Sequence, residues 1–216
     1  MLIYVVGVHG SGKTTLIDSL VNCYTDQFMK AKKLDIPKGE KIFERQLLRY
    51  CRSYTQTFYE QQLAKKEKHV LCDRSYLDNS MYDAAFVQLE WMTAKEHRQI
   101  ESVKKILFDQ KLKNVIFVNP SLDYLQFHLK ERWTKEKVKW HESNFEYLAH
   151  VQYQYRNQIR REAENILNIE EENLEKRVQS VVEWVNESSQ DNVKRTEYKI
   201  SHQAFDIVDT ERALKT

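Results

Sequence analysis

The sequence predicts an α/β fold, a mostly parallel sheet with helices on both faces, and three observations predict it. Short apolar runs alternate with long amphipathic stretches along most of the chain. Only four glycines and two prolines occur in 216 residues, and Gly7, Gly10 and Gly12 fall within six positions, directly after the first apolar run. Such a chain places glycine where φ > 0 or a close backbone approach is required. A second apolar run ends on Asp73-Arg74, and right-handed crossovers bring the ends of parallel strands to one sheet edge.

Taken in order, residues 2–6 are an apolar run stopped by glycine, as expected of a buried parallel strand. Residues 14–23 carry Leu16, Ile17, Leu20 and Val21 at helical spacing. Residues 40–66 read as a long amphipathic helix, with Tyr54 and Phe58 expected in the core. Residues 69–72 form a short strand, 76–89 and 93–111 two helices, and 114–118 a strand stopped by Asn119-Pro120. A helix over 121–140 enters a basic stretch, a second covers 144–165, a strand covers 166–169, and a helix covers 171–187. This gives one domain over 1–187 with a lid at about 130–143. Residues 188–216 form a polar extension that alternates later, as either an edge hairpin or a partner contact.

Composition bounds the function. The chain is 41% hydrophobic and 31% charged, the balance of a globular protein with a wet surface. No apolar run approaches the roughly 20 residues of a membrane span, and the start lacks the basic flank and cleavage site of a secretory signal. A net charge of +2 is too small to argue for a nucleic-acid groove by itself, and a nucleic-acid partner is not expected. Cys23, Cys51 and Cys72 make neither a zinc pattern nor a disulfide framework, so reduced thiols in a cytoplasmic protein are expected.

Gly7-Val-His-Gly-Ser-Gly-Lys-Thr14 satisfies G-x-x-x-x-G-K-[ST], with a strand before it and a helix after it. This is the phosphate-binding loop of the P-loop NTPase three-layer fold. Its reading assigns nucleotide binding to Gly7, His9, Gly10, Ser11, Gly12, Lys13, Thr14 and Thr15. Backbone N–H groups of 10–15 wrap the β-phosphate at a helix N-terminus. Lys13 bridges the β- and γ-phosphates of ATP, and the Thr14 hydroxyl holds Mg2+. Asp73 can orient that ion or help deprotonate an acceptor, and Arg74 can neutralise phosphoryl oxygens.

The chain resembles the thymidylate kinases, within the wider nucleoside and nucleotide kinase group. The resemblance rests on the P-loop, on Ile36-Pro-Lys-Gly-Glu-Lys-Ile42, on Arg52 twenty-one residues before Asp73, and on Cys72-Asp-Arg74. It covers residues 1–187 in motif order. It implies that Arg52 grips the monophosphate of an acceptor nucleotide, and that the protein is a homodimer packed through helices. Ser75 stands where that family has tyrosine, as in deoxynucleoside kinases. His9 stands where the family carries an acid that touches the acceptor sugar.

Lys130, Arg132, Lys135, Lys137 and Lys139 crowd into eleven residues, a basic lid in which Arg132 is the candidate catalytic arginine. Glu131 and Glu136 allow a solvated, self-paired helix instead. Gln56 lies one helical turn from Arg52, so both can face one pocket, with Tyr82 as a stacking ring. No histidine has metal-ligand spacing. Three readings follow: a nucleoside monophosphate kinase, a deoxynucleoside kinase with an unphosphorylated acceptor, and a P-loop ATPase or regulatory module.

Overall fold

A computed structural model of the chain describes residues 1–35, 39–65, 68–137 and 140–188. The chain divides into two compact units, Met1–Arg177 and Val178–Thr216. The first holds a five-stranded sheet in which every pairing is parallel. In chain order its elements are β1 (Leu2–Val6), α1 (Lys13–Cys23), β2 (Phe28–Lys30), α2 (Ile42–Leu63), β3 (His69–Asp73), α3 (Tyr76–Gln88) and α4 (Ala94–Leu107). They continue with β4 (Leu112–Val118), α5 (Leu122–Trp133), a 3₁₀ turn (Trp140–Ser143), α6 (Phe145–Glu162) and β5 (Ala163–Ile169). A last helix, α7, covers 174–188, and its residues from 178 onward are the described part of the second unit.

The strands run β2-β3-β1-β4-β5 across the sheet. The chain leaves β1 in one direction and later returns past it to β4. The topological switch point therefore lies at β1, where parallel α/β sheets bind ligands beyond the strand C-termini. Val5 of β1 pairs with Asp73 of β3, which fixes Asp73 beside the loop that follows β1. Both faces of the central strand are buried. Tyr4 and Val6 join a core with Tyr82, Phe86, Tyr147 and Val151. Ile3 and Val5, on the opposite face, are equally inaccessible. A strand covered on both sides reads as an unbroken apolar run, which is why 2–6 shows no alternation.

Caps set the helix starts that matter for the site. Ser75 caps α3 by accepting from the Leu77 N–H at 3.1 Å, and Asp78 accepts from the Ser75 N–H at 2.8 Å. This box turns the chain directly after Asp73-Arg74 and sends Asp78 back toward the site. Ser121 caps α5, which carries Arg132 to its last turn.

Several expected elements shift. The edge strand β2 has only three residues, too few for a periodic signal. Helix α5 stops at Trp133, so the basic stretch does not continue as helix to 140. Tyr54 and Phe58 are not core: they are 38% and 52% exposed and pair edge-to-face at 5.0 Å on the outside of α2. Helical spacing gives a residue's face but not which of two apolar stripes turns inward. Of the expected lid, 138–139 lie outside the described residues, as do 189–216 of the extension.

Candidate active site

The loop between β1 and α1 is held by backbone geometry that only glycine takes easily. Gly12 has φ +88° at the start of α1, and a Cβ there would stand 2.8 Å from the Arg177 guanidinium. Within the loop, Lys13 Nζ donates to the Val8 carbonyl at 2.6 Å and to Ser11 Oγ at 3.1 Å. Burial, followed by the neighbouring Arg74, lowers the Lys13 pKa to about 7. The ammonium is thus stripped of water with no full counter-charge, a state that a polyphosphate relieves.

Thr14 Oγ1 donates to Asp73 Oδ2 at 3.2 Å, joining the P-loop to the end of β3. Asp73 Oδ1 is buried and has no hydrogen-bond partner among the described residues. A hydroxyl and a half-used carboxylate at the mouth of a phosphate loop are the oxygen ligands that a hydrated Mg2+ takes. The residues present therefore fit the ion, although the pairing itself is a plain hydrogen bond.

Arg74 is bent into place. Its φ is +81°, a left-handed conformation that costs a non-glycine residue on the order of 1–3 kcal/mol and persists only when surroundings dictate it. Those surroundings are visible. Its N–H donates to the Val5 carbonyl at 3.0 Å, and Nη1 reaches the Tyr82 hydroxyl at 3.3 Å. Nη2 meets His9 Nδ1 at 3.1 Å, and Asp78 lies 4.0 Å away. Burial alone would weaken its proton, but Tyr82, Asp78 and Tyr155 outweigh that and leave it more firmly charged than usual.

His9 is neutral, because burial and then Arg74 and Lys13 push its pKa well below the ordinary value. Its Nδ1 therefore accepts from Arg74. Glu142, 3.4 Å from that nitrogen, finds its ionic partner in Arg132 instead. The expected lid arginine is thus present at the site and held by Glu142, a carboxylate with a 4% exposed side chain.

Two pockets open here. One is lined by the P-loop together with Arg49, Arg132 and Arg177. The other lies beneath α2, lined by Arg52, Ser53, Gln56 and Glu60 together with Tyr4. They share Lys33, Asp73 and Arg74, so the end of β3 is the wall between them. Arg52 lines the pocket beneath α2. Gln56 lines the same pocket, but its amide is engaged: it accepts from the Leu34 N–H at 2.8 Å and donates to the Lys32 carbonyl at 2.9 Å. Its observed work is to hold the 32–34 loop. Tyr82 is 1% exposed, with its ring 5.1 Å from His9, and it supports Arg74 rather than lining either pocket.

Sequence reasoning missed Lys33, Arg49, Glu142 and Arg177. Arg177 donates to the Ser11 carbonyl at 2.8 Å and lies 5.1 Å over the Tyr124 ring, bracing the P-loop from the far end of the chain. None belongs to a local motif, and only the fold brings them together.

No protein-family model matches the chain. It is 27% identical over 167 residues to a thymidylate kinase from Campylobacter hominis, spanning 70% of this chain and 82% of that one. The fold matches that of a deoxyadenosine kinase from M. mycoides solved with dATP, with a TM-score of 0.68, 16% identity and coverage of 86% of this chain and all of that one. It also matches a thymidylate kinase from Candida albicans, with a TM-score of 0.62, 15% identity and coverage of 87% and 92%. A parallel sheet of this order, a complete P-loop and an Asp-Arg pair at the switch point agree with those likenesses: the chain has the fold of these P-loop kinases and is similar in sequence to a thymidylate kinase.

Proposed function

We propose that the enzyme transfers the γ-phosphate of ATP to a nucleoside monophosphate bound in the pocket beneath α2. One observation carries this reading: Lys33, Arg52 and Arg74 converge on that pocket with a surplus of positive charge. Burial and then Arg74 lower Lys33 to about 8, and the same two causes lower Arg52. Cations that depress one another are waiting for an anion. A phosphate supplies it beyond what Asp73 and Glu60 in the same lining provide, whereas an uncharged nucleoside adds nothing to them.

The chemistry asks little covalent help of the protein. A phosphate monoester loses its second proton near pH 6, so its attacking oxygen needs no strong base at neutral pH. That oxygen bonds to the γ-phosphorus as the bond to the β-phosphate oxygen breaks, and ADP leaves. Lys13 steadies the β- and γ-oxygens, and Arg74, between the pockets, faces the group in transit. Arg132 adds charge once it leaves Glu142. Thr14 and Asp73 would hold Mg2+, which supplies charge neutralisation along the polyphosphate.

The test is ATP consumption against a panel of nucleosides and nucleoside monophosphates. Turnover of monophosphates supports the reading. Turnover of nucleosides alone makes the protein a deoxynucleoside kinase, and acceptor-independent hydrolysis makes it an ATPase module. Residues 130–143 act as the lid of a kinase domain spanning 1–187. No helix among the described residues is long and apolar enough to cross a membrane, and the three cysteines are free, in keeping with a cytoplasmic place. We assign a homodimer on resemblance alone; sedimentation as a monomer at micromolar concentration would remove that assignment.

A further inference from the structure

Between α2 and α3 lies a buried polar cluster that the proposed chemistry does not use. Asp83, Gln46 and Tyr50 are each inaccessible to solvent. The Tyr50 hydroxyl donates to Asp83 Oδ2 at 2.7 Å and lies 3.1 Å from Ser80 Oγ. Gln46 Nε2 donates to Asp83 Oδ1. A buried carboxyl is costly, and well-packed apolar residues at such sites are often as stable or more so. Burial here raises Asp83 to about 7 against the opposing effect of its two donors. That cost points to a use outside the core.

That use is at the other end of Gln46. A glutamine amide has two distinct ends, and whichever partner fixes one fixes the other. Ionised Asp83 only accepts, so the amide turns Nε2 toward it and Oε1 away. Oε1 then accepts from Arg49 Nη1 at 2.8 Å. Arg49 lines the P-loop pocket together with Lys13, and burial, then Arg74, lowers its pKa.

We infer that Asp83 is a positioning residue for the polyphosphate site: through Gln46 it holds the Arg49 guanidinium in the P-loop pocket. The chain is Asp83 to Gln46 to Arg49, three residues from two helices, with no contact between Asp83 and the pocket itself. The inference rests on reading that pocket as the triphosphate site, but not on the nature of the acceptor.

Equilibrium binding of MgATP to the full chain, by calorimetry, tests it. In Asp83→Asn, the new amide's oxygen still accepts from Tyr50 while its nitrogen faces Gln46. Gln46 must then reverse and present a donor to Arg49, expelling it. Arg49→Ala and Asp83→Asn should each weaken MgATP binding by about tenfold, the scale of one charged hydrogen bond. The double variant Asp83→Asn/Arg49→Ala should bind no worse than Arg49→Ala. Asp83→Asn/Gln46→Glu should recover to within about twofold, since a carboxylate at position 46 accepts both from the amide introduced at position 83 and from Arg49. Unchanged binding in either single variant, additive losses in the double, or no recovery on adding Gln46→Glu overturns the inference. Should Asp83→Asn fail to fold, Gln46→Ala stands in for it, and its loss must likewise be non-additive with Arg49→Ala. If wild-type protein does not bind MgATP, the proposed function fails instead; a nucleoside acceptor leaves this cycle intact.

Discussion

The pockets on either side of Asp73-Arg74 differ in how much of each a local motif supplies. The P-loop pocket is founded on one contiguous segment, Gly7–Thr14, whose backbone geometry is set by glycines and whose cation, Lys13, is part of the same motif, while Arg49, Arg132 and Arg177 line it from other elements. The pocket beneath α2 is a composite. Arg52, Ser53, Gln56 and Glu60 come from one helix, Lys33 from the loop after β2, Tyr4 from β1, and Asp73 and Arg74 from the end of β3. The first keeps its phosphate-loop geometry through a local motif, whereas the second has no motif of its own and changes chemistry whenever one contributor changes.

Substitutions can break this contrast or sharpen it. The largest effect is expected for Lys13→Ala, with kcat falling about 10²–10³-fold on loss of a preorganised charged donor. Asp73→Asn, at the shared wall, should lower kcat by about 10²-fold with MgATP still bound in calorimetry; near-normal turnover would remove Asp73 from the mechanism. Arg52→Ala should raise KM for the monophosphate by about tenfold and leave KM for ATP within about twofold. Equal effects on both substrates would mean that the two pockets are not separately built.

A subtler test uses pH. Lys13 is lowered to about 7 in the free protein, and a bound polyphosphate raises it again. MgATP affinity should therefore be full below about pH 7 and decline as pH rises above it. Proton uptake on binding near pH 8 should appear as a dependence of the calorimetric heat on buffer ionisation enthalpy. The smallest effect belongs to the lid: Glu142→Gln, which frees Arg132 from its ionic partner, should change MgATP affinity by only about two- to threefold, toward tighter binding.

The P-loop was legible because its determinants are local. Glycine is scarce in this chain, so a cluster of three is a statement about backbone geometry before any partner is known. Asp73-Arg74 was legible for a related reason: parallel topology predicts where strand ends meet, and the Val5–Asp73 pairing places it there. Arg52 was singled out by the resemblance to thymidylate kinases, which carry an arginine at this offset, and it lines the pocket beneath α2. The acceptor side was less legible. Gln56 and Tyr82 lie on the expected elements, yet Gln56 spends its amide on the 32–34 loop and Tyr82 spends its hydroxyl on Arg74. Helical spacing predicts the direction a side chain points, but the partner it finds there depends on what another segment presents.

By itself, then, the sequence determined the class of fold, the triphosphate loop and the pairing of that loop with the end of β3. Each follows from short-range sterics or from the handedness of parallel crossovers, which no distant residue can alter. Only the tertiary structure decided that Tyr54 and Phe58 face out, that Arg132 rests on Glu142, that Arg177 braces the P-loop, and that Asp83 reaches Arg49 through Gln46. These are meetings between residues up to 166 positions apart. Burial there removes water from charged groups and obliges each to find a partner, and which partner it finds is settled only when the chain has closed around it.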